Sequence, residues 1–250
     1  MTLGSLCFLL AAGVVAGVVT TVASLGGGVL VVALLGMTAP MATVLGISAP
    51  ALMIGNLSRA IMLRRAIDWP MAARFSAAAV PAALLASLTA AAMPGDLLEL
   101  LVAGFLLAFC AHEALAKPRD EVPASPHASW LALAAGAVTG AVSGLTGVAG
   151  FVASPLLLRL GLAPLSLVAT SATCMAAVHL AKGVGFSLAA VLTPALLPGA
   201  AVLAAGIVAG NALGARLLAR MPREVFRKVL VIVVGLASLQ LAFSALRGCS

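Results

Sequence analysis

The stretch SAAAVPAALLASLTAAAM, residues 76–93, is apolar or small on every face and carries no charged side chain. Its length is close to the roughly 20 residues with which a helix crosses a ~30 Å hydrocarbon core. Strands of a membrane barrel alternate apolar and polar residues, and this stretch does not. It therefore predicts a membrane-spanning helix.

The whole chain shares this character. Of its 250 residues, 63% are hydrophobic and 8% are charged, whereas a soluble domain carries about 25% charged residues. Backbone polar groups inside a bilayer are satisfied only in helices or closed barrels. The expected fold is therefore an all-α polytopic membrane protein.

Turn-forming residues divide the apolar sequence into eight long segments and two short ones. The short segments, near 26–36 and 151–161, each follow a glycine-rich break and are too short to cross the bilayer perpendicularly, so we expect half-helices or tilted crossings. No basic residue precedes Arg59, which argues against a signal peptide and for a first spanning helix. The long segments lie near 3–23, 41–63, 70–92, 96–115, 129–147, 164–188, 194–218 and 225–246.

The chain also divides into two similar halves. We interpret the polar stretch KPRDEVPASPH, 117–127, as a linker between a first repeat, 1–116, and a second, 128–250. Each repeat contains a glycine-rich break, SLGGG at 24–28 or SGLTGVAG at 143–150, and then a short apolar piece and an Ala-Pro turn. The helices after these turns align without gaps, pairing Thr43 with Ser166, Ser48 with Ser171, Asn56 with His179, and Arg59 with Lys182.

The basic residues predict that the two repeats are inverted. They concentrate at 64–74 in the first repeat and at 216–228 in the second. Positive loops favour the cytoplasm, and both clusters reach it only if each repeat crosses the membrane an odd number of times. Counting the short segments as crossings gives a 5+5 arrangement of the kind found in secondary transporters. The alternative is 4+4, with the second basic cluster outside.

Other classes of protein are less consistent with the sequence. The net charge of +7 comes from residues beside apolar segments, which indicates contact with the lipid bilayer and not with nucleic acid. The four cysteines show no metal-ligand spacing, and neither a metal nor a cofactor is expected. HExxH and GxSxG motifs are missing, so we expect no enzyme. An intramembrane enzyme, an anion channel and a structural assembly factor remain as alternatives.

Four stretches carry a family resemblance: SLGGGVLVVALLGMTAPMATVLGIS, RRAIDWP, GLTGVAGFVASPLLLRLGLAPLSLVATS and GARLLARMP. Together they resemble the TauE/SafE sulfite exporter family, also called the toluene-sulfonate uptake permease family, over essentially the whole chain. The resemblance implies a secondary transporter of the cell (inner) membrane that moves sulfite, sulfonates, sulfoacetate or a related organic anion. The family pattern has a Thr-Ser pair after each Ala-Pro turn. Thr170-Ser171 matches this pattern, and Ile47-Ser48 departs from it.

An anion inside a bilayer needs hydrogen-bond donors that cost little desolvation, and helix N-termini supply N–H groups together with a favourable dipole. We therefore expect the substrate near the two glycine-rich breaks and the hydroxyl groups beside them. The alternative is that these glycines only allow close helix packing and that the hydroxyls bond within their own helices. The candidates are Ser24, Gly26, Gly27, Gly28, Thr43, Ser48, Asn56, Ser143, Thr146, Gly147, Gly150, Thr170, Ser171 and His179.

Arg59 and Lys182 are candidates for a gating or charge role. Each follows a polar residue three positions earlier, Asn56 or His179, so each pair shares one helical face. Charges inside a bilayer are usually functional, but near a boundary we favour side chains that snorkel to the interface. His179 is the candidate for proton coupling, because imidazole titrates near neutral pH. The oligomeric state is left open.

Overall fold

The protein is described by a computed structural model that covers residues 2–23, 27–115, 128–147, 150–158 and 162–217, and ten residues between 232 and 246. Every regular element in these ranges is helical. Six helices are long and apolar enough to cross a membrane, as expected for a polytopic membrane protein. Eight long segments were predicted; one of them, 225–246, lies mostly outside the described residues. Another corresponds to the shorter apolar helix Trp130–Thr146.

The helices follow the predicted segments closely. The first half contains α1 (Leu3–Ala23), α2 (Gly27–Gly36), α3 (Met41–Met62), α4 (Trp69–Ala91) and α5 (Gly95–Leu115). The second half contains α6 (Ala128–Thr146), α7 (Gly150–Leu158), α8 (Pro164–Leu188) and α9 (Leu197–Leu217). Each glycine-rich break separates a long helix from a short one.

Local sequence explains where several of these helices begin. The side chain of Asp68 accepts a hydrogen bond from the backbone N–H of Met71 at 3.0 Å and so caps α4, which satisfies one of the free N–H groups of its first turn. Pro164 occupies the start of α8, where its missing N–H costs nothing.

Small residues bring α1 and α9 into backbone contact. A Cβ atom on Gly13 would lie 2.5 Å from the carbonyl oxygen of Leu203, and one on Gly17 would lie 2.3 Å from that of Ile207. Lipid tails are as apolar as leucine, so helices in a bilayer associate through close packing of small residues. These two helices therefore depend on glycine at their interface.

The contact between α4 and α6 has the same construction. A Cβ atom on Gly140 would lie 2.2 Å from the carbonyl oxygen of Ala79. The alignment that pairs Thr43 with Ser166 also pairs Gly17 with Gly140. In both halves, the first helix thus uses glycine to pack against a helix of the other half.

The buried apolar residues form two clusters that cross the boundary between the halves. One contains residues of α1, α2, α3 and α5 together with α9, and it also includes Ala90 of α4 and Phe186 of α8. The other contains residues of α6, α7 and α8 together with α4. The two halves are therefore interlocked, because each cluster includes a long helix from the opposite half.

Contacts between residues give the helix directions. Gly13 packs against Gly206 in α9, and Gly17 packs against Gly210, so α1 and α9 run parallel. Gly55 packs against Ile207, near the middle of α9, while Gly46, near the start of α3, approaches Val191, which precedes α9. Helices α1, α3 and α9 therefore share one direction.

Helices α4, α6 and α8 run the opposite way. In α8, Cys174 lies against the carbonyl of Ala72, and Gly185 lies against Ser87, so α8 runs parallel to α4. In α6, Gly136 approaches Phe75, whereas Gly144 approaches Ser87. Val191 lies shortly after the end of α8 and contacts the beginning of α3. These three helices are therefore antiparallel to α3.

Candidate functional site

The first break lies between Ala23, which ends α1, and Gly27, which begins α2. Arg59 approaches it from α3, and its Nη1 donates to the carbonyl oxygen of Thr20 at 3.1 Å. That carbonyl lies in the last turn of α1, where backbone oxygens have no partner within the helix. The guanidinium therefore caps the negative end of the helix dipole.

Asn56 and Arg59 act together at this break. Arg59 Nη2 donates to Oδ1 of Asn56 at 3.2 Å, and Nδ2 of Asn56 donates to the carbonyl of Leu52 at 2.8 Å. The sequence predicted that this pair shares one helical face, and the side chains are in direct contact.

Gly27 serves the packing of α2 against α1. A Cβ atom at this position would lie 1.5 Å from Oγ1 of Thr20 and 2.5 Å from the carbonyl oxygen of Ala16. The side of Gly27 on which a side chain would stand is therefore filled by α1, so packing alone requires glycine here.

The second break begins at Gly147, directly after α6. Gly147 has a φ of +87°, and its N–H donates to the carbonyl of Ser143 at 2.9 Å, as in a helix C-terminus closed by a left-handed residue. A Cβ atom here would lie 2.5 Å from Leu45 and 3.1 Å from Val32. Backbone conformation and packing both require glycine, and the second break touches α2 and α3 of the first half.

Lys182 approaches the second break from α8. Its Nζ donates to the carbonyl oxygen of Gly147 and lies 3.2 Å from Nδ1 of His179. The side chain is 0% exposed, and that of Arg59 is 8% exposed. The expectation that these two cations snorkel to the interface is therefore wrong. Each is instead held inside the protein by a backbone carbonyl at a helix end.

The two cation sites match across the halves. Arg59 and Lys182 are aligned in sequence, and each binds a carbonyl at the end of the helix that precedes its break. Each also contacts the polar side chain three positions earlier. None of the described acidic side chains forms a hydrogen bond or ion pair with either cation. Both breaks therefore hold a buried basic side chain that has no acidic partner in the described part of the chain.

The predicted hydroxyl residues have different surroundings. Ser48 donates to the carbonyl of Leu45 at 3.2 Å, and Thr146 donates to that of Val142 at 2.8 Å, so both have partners within their own helices. Oγ1 of Thr170 accepts the N–H of Asp68 at 3.0 Å. That contact ties the start of α4 to α8.

Ser143 differs from these three hydroxyl residues. It is fully buried one turn before Gly147, and its Oγ has no hydrogen-bond partner among the described residues. Thr139, one turn earlier again, has the same property. The sequence did not single out Thr139. Thr139 lies four residues before Ser143, so the two share one helical face. This spacing is the sequence feature from which Thr139 could have been predicted.

The remaining predicted residues are dispersed. Ser171 is buried, Gly28 is half-buried, and Gly150 begins α7. Thr43 lines a cavity of about 400 Å³ at the start of α3, with Ser5 and Thr38. The sequence grouped Thr43 with the breaks, but it faces this separate cavity. Ser24 and Gly26 lie outside the described residues.

Asn211 in α9 is a further buried polar residue that the sequence did not single out. Its Nδ2 donates to the carbonyl of Gly55 at 3.0 Å and to Oγ of Ser58 at 3.1 Å. Its Oδ1 accepts from Thr21 at 3.2 Å. Asn211 thus joins α9 to α1 and α3 beside the first break. An amide side chain next to Gly210 in an otherwise apolar helix is the sequence feature from which Asn211 could have been predicted.

The fold and the buried basic residues define a polytopic helical membrane protein that holds polar side chains at its helix breaks. The family profile described as Sulfite exporter TauE/SafE matches residues 9–241, nearly the whole chain. The chain therefore belongs to this family of membrane transporters, and the resemblance noted in the sequence is confirmed. No curated protein and no solved structure matches it.

Proposed function

We propose that this protein is a secondary transporter that moves a small sulfur-containing or organic anion, such as sulfite, a sulfonate or sulfoacetate, across the cell (inner) membrane. The observation that carries the proposal is the pair of buried cations, Arg59 and Lys182, at the two helix breaks. A charge inside a bilayer is costly and usually functional. A bound anion would supply the missing negative charge.

We further propose that the two halves are inverted repeats that work by alternating access. Helices at equivalent positions run in opposite directions: α1 against α6, α3 against α8, and α4 against α9. Each apolar cluster combines helices of both halves, which gives two bodies that can rock against each other. Rocking of this kind around a central site is the usual mechanism of transporters with inverted repeats.

Proton coupling is proposed at Lys182 and His179. An ammonium and an imidazole both exchange protons, and here they are in contact at 3.2 Å. The aligned residues in the first half, Arg59 and Asn56, cannot do this, since arginine stays charged and asparagine does not titrate. A coupling proton would therefore bind in the second half.

The proposal is tested with purified protein. Thermal unfolding is measured with sulfite, thiosulfate, sulfoacetate and acetate, because a ligand that binds only the folded state raises Tm with its concentration. We expect a sulfur-containing anion to stabilise most strongly, and flux of that anion into proteoliposomes to saturate. Failure of every anion to stabilise the protein would contradict the proposal, and flux that never saturates would indicate a channel.

A further inference from the structure

Within the described chain, two connectors join the bodies that are proposed to rock. The first connector, residues 63–68, joins α3 to α4, and the second connector, residues 189–196, joins α8 to α9. Helices α3 and α9 belong to one apolar cluster, and α4 and α8 contribute mainly to the other. We propose that the second connector is the moving hinge and that the first connector stays fixed. This inference rests on the proposed alternating access and goes further by assigning the movement to one segment.

The first connector is held by hydrogen bonds. The backbone N–H of Asp68 donates to Oγ1 of Thr170 in α8 at 3.0 Å, and the carboxylate of Asp68 accepts the N–H of Met71 at 3.0 Å. Thr170 is fully buried. Within the connector, the N–H of Ala66 donates to the carbonyl of Leu63 at 2.8 Å. The first connector is therefore fastened both to α4 and to α8.

The second connector has no comparable attachment to the helix on which it lies. A Cβ atom on Gly46 of α3 would lie 3.1 Å from the carbonyl oxygen of Val191 and 3.4 Å from Cδ1 of Leu196. None of the described hydrogen bonds joins this connector to α3; its backbone N–H groups donate to the end of α8 or within the connector. The second connector therefore touches α3 through van der Waals contacts, which can break without loss of a hydrogen bond.

Ala190 is the point at which the second connector can turn. It lies two residues after the end of α8 and has a φ of +56°. Glycine usually supplies this left-handed conformation after a helix, and alanine adopts it at an energetic cost. Strained residues cluster at segments that switch between conformations, and hinge movements are absorbed by a few residues at the ends of elements. A change of conformation at Ala190 would relieve the strain and swing the connector relative to α8.

A cavity gives the second connector space into which it can move. The cavity has a volume of about 400 Å³, lies between the starts of α1 and α3 and the end of α2, and has Leu196 of the second connector in its wall. Protein interiors contain few spaces larger than a water molecule, because the atoms that line such a space lose van der Waals contacts. Movement of Leu196 into the cavity would restore such contacts.

The second half has larger or bonded residues at the equivalent places. The residue before the N-cap is Ala39 for α3 and Leu162 for α8. Ala39 lines the cavity, whereas Leu162 is buried in the second apolar cluster. The seventh residue is Ile47 in α3, which also lines the cavity, and Thr170 in α8, which holds the first connector. The start of α8 is thus packed and bonded to its connector, whereas the start of α3 leaves space beside its own.

The experiment fills the cavity with the residue that the second half uses. For Ala39→Leu we expect an unchanged or higher Tm, because the added atoms occupy a cavity, and sulfite should still stabilise the protein. Flux of sulfite and sulfoacetate into proteoliposomes should fall at least about tenfold, because the hinge can no longer move. Ala42→Leu is the matched control: Ala42 is exposed in the first turn of α3, and this change should leave flux unchanged.

Ala39→Cys tests the same point with a smaller change to the folded protein. In a chain that lacks Cys7 and Cys249, modification by N-ethylmaleimide should stop flux in Ala39→Cys and leave it unchanged in Ala42→Cys. Wild-type flux in both Ala39→Leu and the modified Ala39→Cys protein would overturn the inference. Saturable flux in the wild-type protein would then still support the proposed function. If the wild-type protein neither binds nor moves either anion, the proposed function fails together with the inference.

Discussion

Lys182 and Gly147, which are 35 positions apart in the sequence, are joined by a hydrogen bond from the ammonium group to the backbone carbonyl. The bond places a fully buried cation at the end of α6, where the helix dipole is negative. The same residue pair connects α8 to the second break. Any movement of α8 relative to α6 would therefore change the surroundings of the charge.

Gly147→Ala should destabilise the protein by about 2–5 kcal/mol. The left-handed conformation of Gly147 costs alanine about 1–2 kcal/mol, and overlap of the new Cβ with Leu45 adds about 1–3 kcal/mol. Chemical unfolding in detergent measures the loss. Leu45→Ala is itself destabilising because Leu45 is a core residue, so the steric part should appear as the coupling energy of the double-mutant cycle. Gly150→Ala, with open space around its Cβ, should cost much less; an equal cost would contradict this account.

Gly140→Ala should lower Tm markedly, because the added Cβ would lie 2.2 Å from the carbonyl oxygen of Ala79 and push α4 away from α6. Gly104→Ala is the control, since nothing lies within 4 Å of its Cβ position and alanine favours a helix. Differential scanning fluorimetry of the two variants makes the comparison. Similar Tm values would show that α4 and α6 do not depend on close approach.

The inverted arrangement predicts which loops share a side of the membrane. Arg65, before α4, and Arg216, at the end of α9, are both exposed and should lie on the cytoplasmic side. Cysteines introduced there should react together with an impermeant thiol reagent. A cysteine at Asp96, at the start of α5, should react from the other side. The background must lack the exposed native Cys7. Labelling of positions 65 and 216 from opposite sides would restore the 4+4 alternative.

Proton coupling predicts that transport follows the proton gradient. Flux should change with external pH around neutrality, because the ammonium of Lys182 and the imidazole of His179 both exchange protons. A sulfonate is the right substrate for this test, because sulfite changes its own protonation near neutral pH. Replacement of His179 by Gln, or of Lys182 by Arg, should flatten the profile. Unchanged pH dependence in both variants would remove the pair from the coupling mechanism.

Much of the fold could be predicted because apolar segments and glycine-rich breaks are local features. The bounds of α2 and α7 lie close to the predicted short segments, and the Ala-Pro turns precede α3 and α8 as expected. The pairs Asn56 with Arg59 and His179 with Lys182 were also found, since their members are three residues apart on a helix.

The partners of these pairs could not be predicted from local sequence. The carbonyls of Thr20 and Gly147 come from helices far from Arg59 and Lys182 along the chain. Local sequence does not show that a carbonyl lies within reach of these side chains. It therefore supports only the general tendency of lysine and arginine to snorkel. Asn211 was missed for the same reason, because its partners on α1 and α3 are brought together only by the packing of α9.

The interlocking of the halves has a consequence for how the chain is inserted. Helix α1 leaves the ribosome well before its glycine-lined partner, α9, is made. Until α9 has been inserted, the surface of α1 at Gly13 and Gly17 contacts lipid or the insertion machinery in place of α9. A fragment of residues 1–116 expressed alone should therefore be degraded rapidly, and co-expression with residues 117–250 should rescue it. The membrane topology of α1 can be set early during synthesis, but α1 can reach its packed position only after α9 has been made.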